Sequence, residues 1–297
     1  LSKEAHYRSN KRIFGAWDGN YQPTIGTLRA LLAGQHCVDV VSEHHLEGKS
    51  IDRFPILVVP EWAPLGADFH KHLLGYVRRG GKVLLIGVNP TREFAAELGV
   101  QPAGDAVRRQ RWLAGPSGLA GIESEGLAFQ IKSPAKVSAV WHERRDPLSP
   151  AHPLAVTRHL GKGTLAAIAV DFGIAYDTAS TFQARDFLAA AVHSLFPEPV
   201  VTVSGSHQID VSLMRKHGDL FMHLVNTAGA HADMGVSTHD EIPPLHDIEI
   251  RLRLPRRPAK IVQQPAGKAL PFRWSKGTAA LRVPVLEIHE ILQIQIL

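Results

Sequence analysis

The sequence lacks the features that mark disulfide scaffolds, cysteine-rich metal sites and membrane spans. Its 297 residues contain one cysteine, Cys37, which excludes an internal disulfide and a zinc site built from several thiolates. No apolar stretch approaches the roughly 20 residues that a membrane-spanning helix needs. Sparse cysteine fits a reducing compartment, so we expect a cytoplasmic protein without a membrane partner. The sequence opens at Leu1, so a signal peptide cannot be judged.

Signals for nucleotide and nucleic-acid binding are also missing. The glycines at positions 15, 19 and 26 have the wrong spacing for a dinucleotide-binding turn, and no P-loop occurs. The net charge is +5, but Lys and Arg are spread along the chain, and RLRLPRRPAK is the one dense stretch. Arginines that alternate with apolar residues are typical of the solvated face of a strand. We therefore expect no nucleic-acid partner and no cofactor.

Helices and buried strands alternate in the first part of the chain. PTIGTLRALLA and ADFHKHLLGYVRR have helical spacing of apolar residues, whereas FPILVVPEW and KVLLIG are continuously apolar, as parallel strands are. CVDVVS is interpreted as a further strand, which makes Cys37 a buried core residue. The order predicts a doubly wound, mostly parallel sheet of flavodoxin-like type. Only Ile13-Phe14 precedes the first helix, so the sequence leaves open whether the sheet's first strand lies in this chain or upstream.

The pattern changes twice further along the chain. TREFAAELG predicts a short helix, and LAFQIK and KVSAVWHE predict strands. PLAVTRHLGKGTLAAIAVDFG predicts two β segments joined at Gly161, and TASTFQARDFLAAAVHSLF predicts a closing helix with Thr178 or Ser180 as N-cap. After Val200 short strands follow one another, and DIEIRLRLP alternates strictly between apolar and charged residues. We expect an α/β domain over residues 1–198 and an antiparallel β-sandwich over 199–297.

Polar residues follow the predicted parallel strands and should gather at one sheet edge, where open α/β sheets bind ligands. The candidates for a shared cleft are Glu43, His44, His45, Glu61, Trp62 and Asn89. Trp62 beside Glu61 would suit a sugar, because the ring can stack and the carboxylate can accept hydroxyl protons. The same residues are equally compatible with a subunit contact, where tryptophan is enriched, or with an ordinary polar loop.

The 17 histidines do not predict a metal site. His70 and His72 are two residues apart on a helix and face in different directions, while adjacent residues such as His44 and His45 usually point opposite ways. Zinc sites need three or four converging ligands. We therefore expect no metal.

Several stretches together resemble a known domain family. TLRALLAGQHCVDVVSE, FPILVVPEWAPLGADFHKHLLGYVRRGGKVLLIG, GKGTLAAIAVDFG and the helix leading into FPEPVV are similar to the class I glutamine amidotransferase-like domain, and more narrowly to the β-galactosidase trimerisation domain. FMHLVNTAG, EIPPLHDIEIRLRLPRRPAKI and LEIHEIL resemble the small β-sandwich that follows this domain in fucosidase-like and galactosidase-like bacterial glycoside hydrolases. The resemblance covers nearly the whole chain.

The resemblance implies an upstream (β/α)8 barrel that carries the catalytic carboxylates. An active amidotransferase would need a cysteine on the elbow after KVLLIG, but that loop holds Gly87, Val88, Asn89 and Pro90. No catalytic apparatus is recognisable, so the resemblance implies a non-catalytic accessory region that forms a homodimer or homotrimer and completes the active-site mouth of a neighbouring barrel. The alternative is a standalone hydrolase or carbohydrate-binding protein that uses Glu61 and Glu43 as acid and base.

Overall fold

The computed structural model describes residues 21–61, 64–132, 134–229, 231–233, 236–239 and 241–296. Within these residues the chain forms two compact units. The first comprises 21–30 and 39–197, and the second comprises 31–38 and 198–296. Ile13 and Phe14, where a weak first strand is predicted, lie outside the described residues. No helix among the described residues is long and apolar enough to cross a membrane.

The chain up to residue 197 alternates helices and strands before it enters a run of antiparallel strands. In chain order these elements are α1 (Gln22–Ala33), β1 (Leu57–Val59), α2 (Ala67–Arg79), β2 (Lys82–Ile86), α3 (Val88–Glu93), α4 (Ala95–Leu98), β3 (Val100–Pro102), β4 (Val107–Gly115), β5 (Gly118–Gly126), β6 (Phe129–Ile131), β7 (Lys136–His142), β8 (Ala151–Leu160), β9 (Gly163–Ile168), α5 (Phe172–Thr178) and α6 (Phe182–Leu195). Two short 3₁₀ turns, Glu43–Leu46 and Ser50–Arg53, precede β1.

Seven of these strands form one mixed sheet in the order β1-β2-β9-β8-β7-β4-β5. The strands β1, β2 and β9 are parallel neighbours, and β8, β7, β4 and β5 extend the sheet through antiparallel pairs. The predicted parallel arrangement therefore holds for the part of the sheet that contains β1, β2 and β9. Most residues of β2 and β9 are apolar and buried, as is typical of strands that are covered on both faces.

Helices cover both faces of the parallel strands. On one face, α2 buries Leu73 and Val77 in a core that also contains Val83, Leu85 and Leu165. The opposite face lies under α6, and the two layers leave a small cavity of about 130 Å³ between them. The cavity is lined mainly by small side chains of β4, β7, β8, β9 and α6. Because β1, β2 and β9 are parallel neighbours, their carboxyl ends meet at one edge of the sheet.

Two local predictions for this part of the chain are wrong. CVDVVS, residues 37–42, forms no strand, and Cys37 is exposed rather than buried in the core. Its β-branched residues favour a strand, but β propensity depends strongly on tertiary context and does not by itself form one. The N-cap of α6 is Thr181, whose side chain accepts the N–H of Ala184 at 3.3 Å, and not Thr178 or Ser180.

The second unit is an antiparallel sandwich. Its strands are β10 (Val201–Ser204), β11 (Ile209–Lys216), β12 (Asp219–Asn226), β13 (His231–Asp233), β14 (Val236–His239), β15 (Leu245–Arg253), β16 (Lys260–Gln264), β17 (Lys268–Ala269), β18 (Phe272–Ser275), β19 (Thr278–Leu286) and β20 (His289–Gln295). One sheet has the order β10-β15-β19-β18, and the other has the order β11-β12-β20-β16-β17. The predicted alternation of β15 is confirmed, since Ile248, Ile250 and Leu252 are buried with residues of the facing sheet.

Candidate functional site

Three residues lie where the parallel strands end, at one edge of the sheet. Glu61 follows β1, Gly87 directly follows β2, and Asp171 follows β9. The carboxyl ends of neighbouring parallel strands meet at one edge of the sheet, which is the usual ligand-binding edge of open α/β folds. Glu61 and Asn89 were predicted for this edge. Asp171 was not, although its position after the apolar run LAAIAV carried the same signal.

Glu61 is seated on the turn that leads from β2 into α3. Its two carboxyl oxygens each lie 3.2 Å from the backbone nitrogen of Asn89, which donates to them. Gly87 makes room for the carboxyl group, because a Cβ at that position would lie 1.9 Å from Oε2 of Glu61. The N–H of Gly87 also donates to the carbonyl of Ile168 at 2.9 Å, which ties the end of β2 to the end of β9.

Burial changes the acid–base behaviour of the two carboxyl groups at this edge. The pKa of Glu61 rises from 4.5 to about 7, first because the group is desolvated and second because of the negative charge of Asp171. Hydrogen bonds from Asn89 and Val88 act in the opposite direction. Desolvation also raises the pKa of Asp171 to about 6, against the hydrogen bond from the backbone of Ile174. At neutral pH the site therefore holds one carboxyl group close to half-protonation beside a second acid.

The loop that carries Glu61 is fixed at two points by α3. Glu61 contacts the first turn of α3 through Asn89, and Glu93 at the end of α3 accepts the N–H of Leu65 with both carboxyl oxygens at 3.2 and 3.1 Å. The two attachments flank residues 62–63. Trp62, the predicted sugar-contacting or interface residue, lies outside the described residues.

The predicted histidine candidates contact other partners. Oγ of Ser42 lies 3.0 Å from Nδ1 of His44 and 2.9 Å from Nδ1 of His45, and the two ring centroids are 3.9 Å apart. The expectation that these adjacent side chains point in opposite directions is therefore wrong, because the 3₁₀ turn brings them together. The contacts that the structure describes for His44 are with Ser42 and His45, not with Glu61. Glu43 begins the same turn.

His70 and His72 diverge, as their spacing predicts. The ring of His70 stacks on Phe94, with centroids 3.9 Å apart, and its Nδ1 lies 3.4 Å from Glu93. Nε2 of His72 instead lies 2.7 Å from the carbonyl of Leu46. Among the described residues, no group of three or more His, Cys, Asp and Glu side chains is arranged to hold a metal ion.

The turn after β2 offers no nucleophile for acyl chemistry. It holds Gly87, Val88 and Asn89, and neither a cysteine nor a serine. Cys37, the one cysteine, is exposed in the segment after α1 and belongs to no strand. The thioester chemistry of an amidotransferase therefore has no starting group on this turn.

The architecture is shared with solved glycoside hydrolases. No protein-family model and no curated protein matches the chain. α-L-Fucosidase isoenzyme 2 from Paenibacillus thiaminolyticus matches 91% of this chain with a TM-score of 0.74 at 19% identity, over 44% of its own length. The GH42 β-galactosidase Gan42B from G. stearothermophilus matches 99% of the chain with a TM-score of 0.62 at 14% identity, over 39% of its length.

A β-galactosidase from Rahnella sp. R3 gives a similar result, with a TM-score of 0.61 and 14% identity over 100% of this chain and 40% of its own. The chain thus spans less than half of each of these enzymes. At these identities the matches show a common fold, in which an α/β unit and a β-sandwich occur together in glycoside hydrolases.

Proposed function

We propose that this chain is a non-catalytic accessory region of a bacterial glycoside hydrolase that acts in carbohydrate metabolism. The observation that carries the proposal is the similarity over both units to a fucosidase of which the chain matches only 44%. In this proposal a (β/α)8 barrel elsewhere in the polypeptide holds the two carboxylates that glycoside hydrolysis requires. Residues 1–198 form the flavodoxin-like, amidotransferase-like domain of the β-galactosidase trimerisation type, and residues 199–297 form the sandwich.

The accessory role we propose is homodimer or homotrimer assembly, with the 61–65 loop completing the mouth of a neighbouring barrel. Two features of the sheet edge support this role. The loop is attached to α3 at Glu61 and at Leu65, so its backbone is anchored on both sides of residues 62–63. Tryptophan is enriched at protein interfaces, and Trp62 lies between these attachments in the sequence.

We expect Trp62→Ala to reduce the size of the oligomer, because it removes a large apolar side chain from the proposed interface. Sedimentation velocity over a range of protein concentrations measures this change. Leu148→Ala is the matched control, since Leu148 is 92% exposed on a turn distant in sequence from the sheet edge. An unchanged oligomer with loss of sugar binding would assign Trp62 to ligand contact and would rule out its interface role.

A second candidate function is sugar binding or hydrolysis at the sheet edge itself. It is favoured by the raised pKa values of Glu61 and Asp171, because a general acid must keep its proton near neutral pH. From the sequence, Glu61 and Glu43 are the predicted acid and base of this alternative. The structure offers Asp171 as a further partner, since its charge acts on Glu61.

The two candidate functions differ in a simple assay with aryl galactosides and aryl fucosides. The accessory proposal expects no turnover by this chain. The enzyme alternative expects turnover that Glu61→Gln abolishes without a change in oligomer size, with Asp171→Asn and Glu43→Gln identifying the second acid. Turnover that survives Glu61→Gln would contradict the assignment of Glu61 as the acid.

A further inference from the structure

Two histidines on the sandwich are placed as a pair by the register of neighbouring strands. His223 lies on β12 and His289 lies on β20, and the antiparallel pairing sets His223 opposite Ile291 and His289 opposite Val225. Directly paired residues share a face, and side chains two residues apart on a strand share it as well. The two imidazoles therefore project from the same face as diagonal neighbours.

The backbone that carries this pair is held on both sides. β12 pairs with β11 and β20, while β20 pairs with β12 and β16. On the opposite side of the same strands, Met222, Leu224 and Leu292 are buried in the sandwich core. The positions of the two Cα atoms are thus fixed by the fold, and only rotation of the side chains remains.

The two rings meet through nitrogen atoms. Nδ1 of His223 lies 3.0 Å from Nε2 of His289, and the ring planes are inclined by 14° with centroids 5.2 Å apart. A tetrahedral zinc ion bound to two imidazole nitrogens holds them about 3.3 Å apart, given Zn–N bonds of about 2.0–2.1 Å. A small rotation of the rings would therefore bring both nitrogens to bonding distance from one ion.

We propose that His223 and His289 form a two-imidazole binding site for a divalent transition-metal ion of the zinc class. Imidazole is a favoured ligand for zinc, copper and nickel. Metal binding requires the neutral form of histidine. The two facing nitrogens, Nδ1 of His223 and Nε2 of His289, are the proposed ligand atoms.

The site is open, because within the part of the chain that the structure describes two side chains supply the ligands. Ser212 pairs with His223 on β11, and Asp210 pairs with Val225, so both lie on this face of the sheet. Within the described part of the chain they do not complete a set of three metal-binding His, Cys, Asp or Glu side chains. In the proposed site, water or an added ligand would fill the remaining coordination positions.

Zinc titration of the tag-free, metal-free chain tests this proposal. Isothermal titration calorimetry should show one Zn²⁺ bound per chain at this site. His223→Gln and His289→Gln should each weaken this binding by about tenfold or more, because either change leaves one imidazole in place of a chelating pair. His246→Gln is the matched control, since His246 is exposed on β15 in the other sheet, and it should leave binding unchanged.

A second measurement identifies the ligand atoms directly. Long-range ¹H–¹⁵N spectra of the histidine rings should show zinc-dependent shifts of Nδ1 of His223 and Nε2 of His289, the two nitrogens that face each other. Far-ultraviolet circular dichroism establishes that each variant is folded. Zinc binding that is unchanged in both glutamine variants, shifts confined to other histidines such as His44 and His45, or no binding by the wild-type chain would each overturn the proposal.

Discussion

Gly87→Ala should destabilise the first unit by about 3–5 kcal/mol, through backbone strain and loss of a hydrogen bond to a carboxylate. Gly87 has φ 126° and ψ 172°, a conformation that is essentially restricted to glycine. An alanine Cβ would also lie 1.9 Å from Oε2 and 2.9 Å from Cβ of Glu61. Glu61 would have to leave the N–H of Asn89, which would break the attachment of the loop to α3.

Chemical denaturation, monitored by hydrogen exchange in peptides from β2 and β9, measures this loss of stability in the first unit. Gly118→Ala is the control for backbone strain alone, because Gly118 has φ +95° and an added Cβ would meet nothing within 4 Å. We expect that control to cost about 1–2 kcal/mol. A Gly87→Ala variant no less stable than Gly118→Ala would contradict the crowding argument.

A double-mutant cycle separates the clash with Glu61 from the backbone strain. Glu61→Ala removes the carboxyl group that an alanine at position 87 would displace. The double variant should therefore be more stable than the sum of the two single changes predicts, since contacting residues are coupled. Strict additivity would mean that Gly87 is needed only for its backbone conformation.

The sequence predicted some of the helices and parallel strands correctly, because their apolar spacing is set by burial. α1, α2, β1 and β2 lie where the spacing placed them. The hairpin of β8 and β9 was also predicted, and Gly161 at φ 62° occupies its turn. The sequence predicted β9 as a hairpin strand only, but β9 also pairs in parallel with β2. For that reason Asp171 was not placed at the sheet edge with Glu61.

Elements that depend on tertiary contacts were not predicted from the sequence. The β4–β5 hairpin was missed because VRRQR at the start of β4 has no apolar alternation. Arg111 within it is buried and donates to the carbonyls of Val107 and Ser124, a pairing that no local pattern reveals. His223 and His289 are 66 residues apart in the chain, so only the strand register brings them together.

The second large effect is a loss of stability as the pH rises from about 5 to 7. The pKa of Glu61 is about 7 in the folded protein and 4.5 for the unperturbed group, so the folded state binds more protons than the unfolded state between these values. The contribution of Glu61 to stability is then fully present below about pH 4.5 and is lost as the pH rises through 7. One such group changes the free energy of unfolding by at most about 1.4 kcal/mol per pH unit. Asp171 acts in the same direction up to about pH 6.

Glu61→Gln should flatten this dependence, because glutamine does not ionise and its carbonyl oxygen can still accept the N–H of Asn89. Urea unfolding of the first unit at pH 5, 6, 7 and 8 measures the slope. Glu93→Gln is the matched control, since Glu93 also accepts a backbone N–H at the other end of α3. We expect that variant to keep the wild-type slope. An equally steep loss of stability in Glu61→Gln would mean that another group causes the pH dependence. Glu61 would then be no better a proton donor to a bound sugar than an ordinary surface acid.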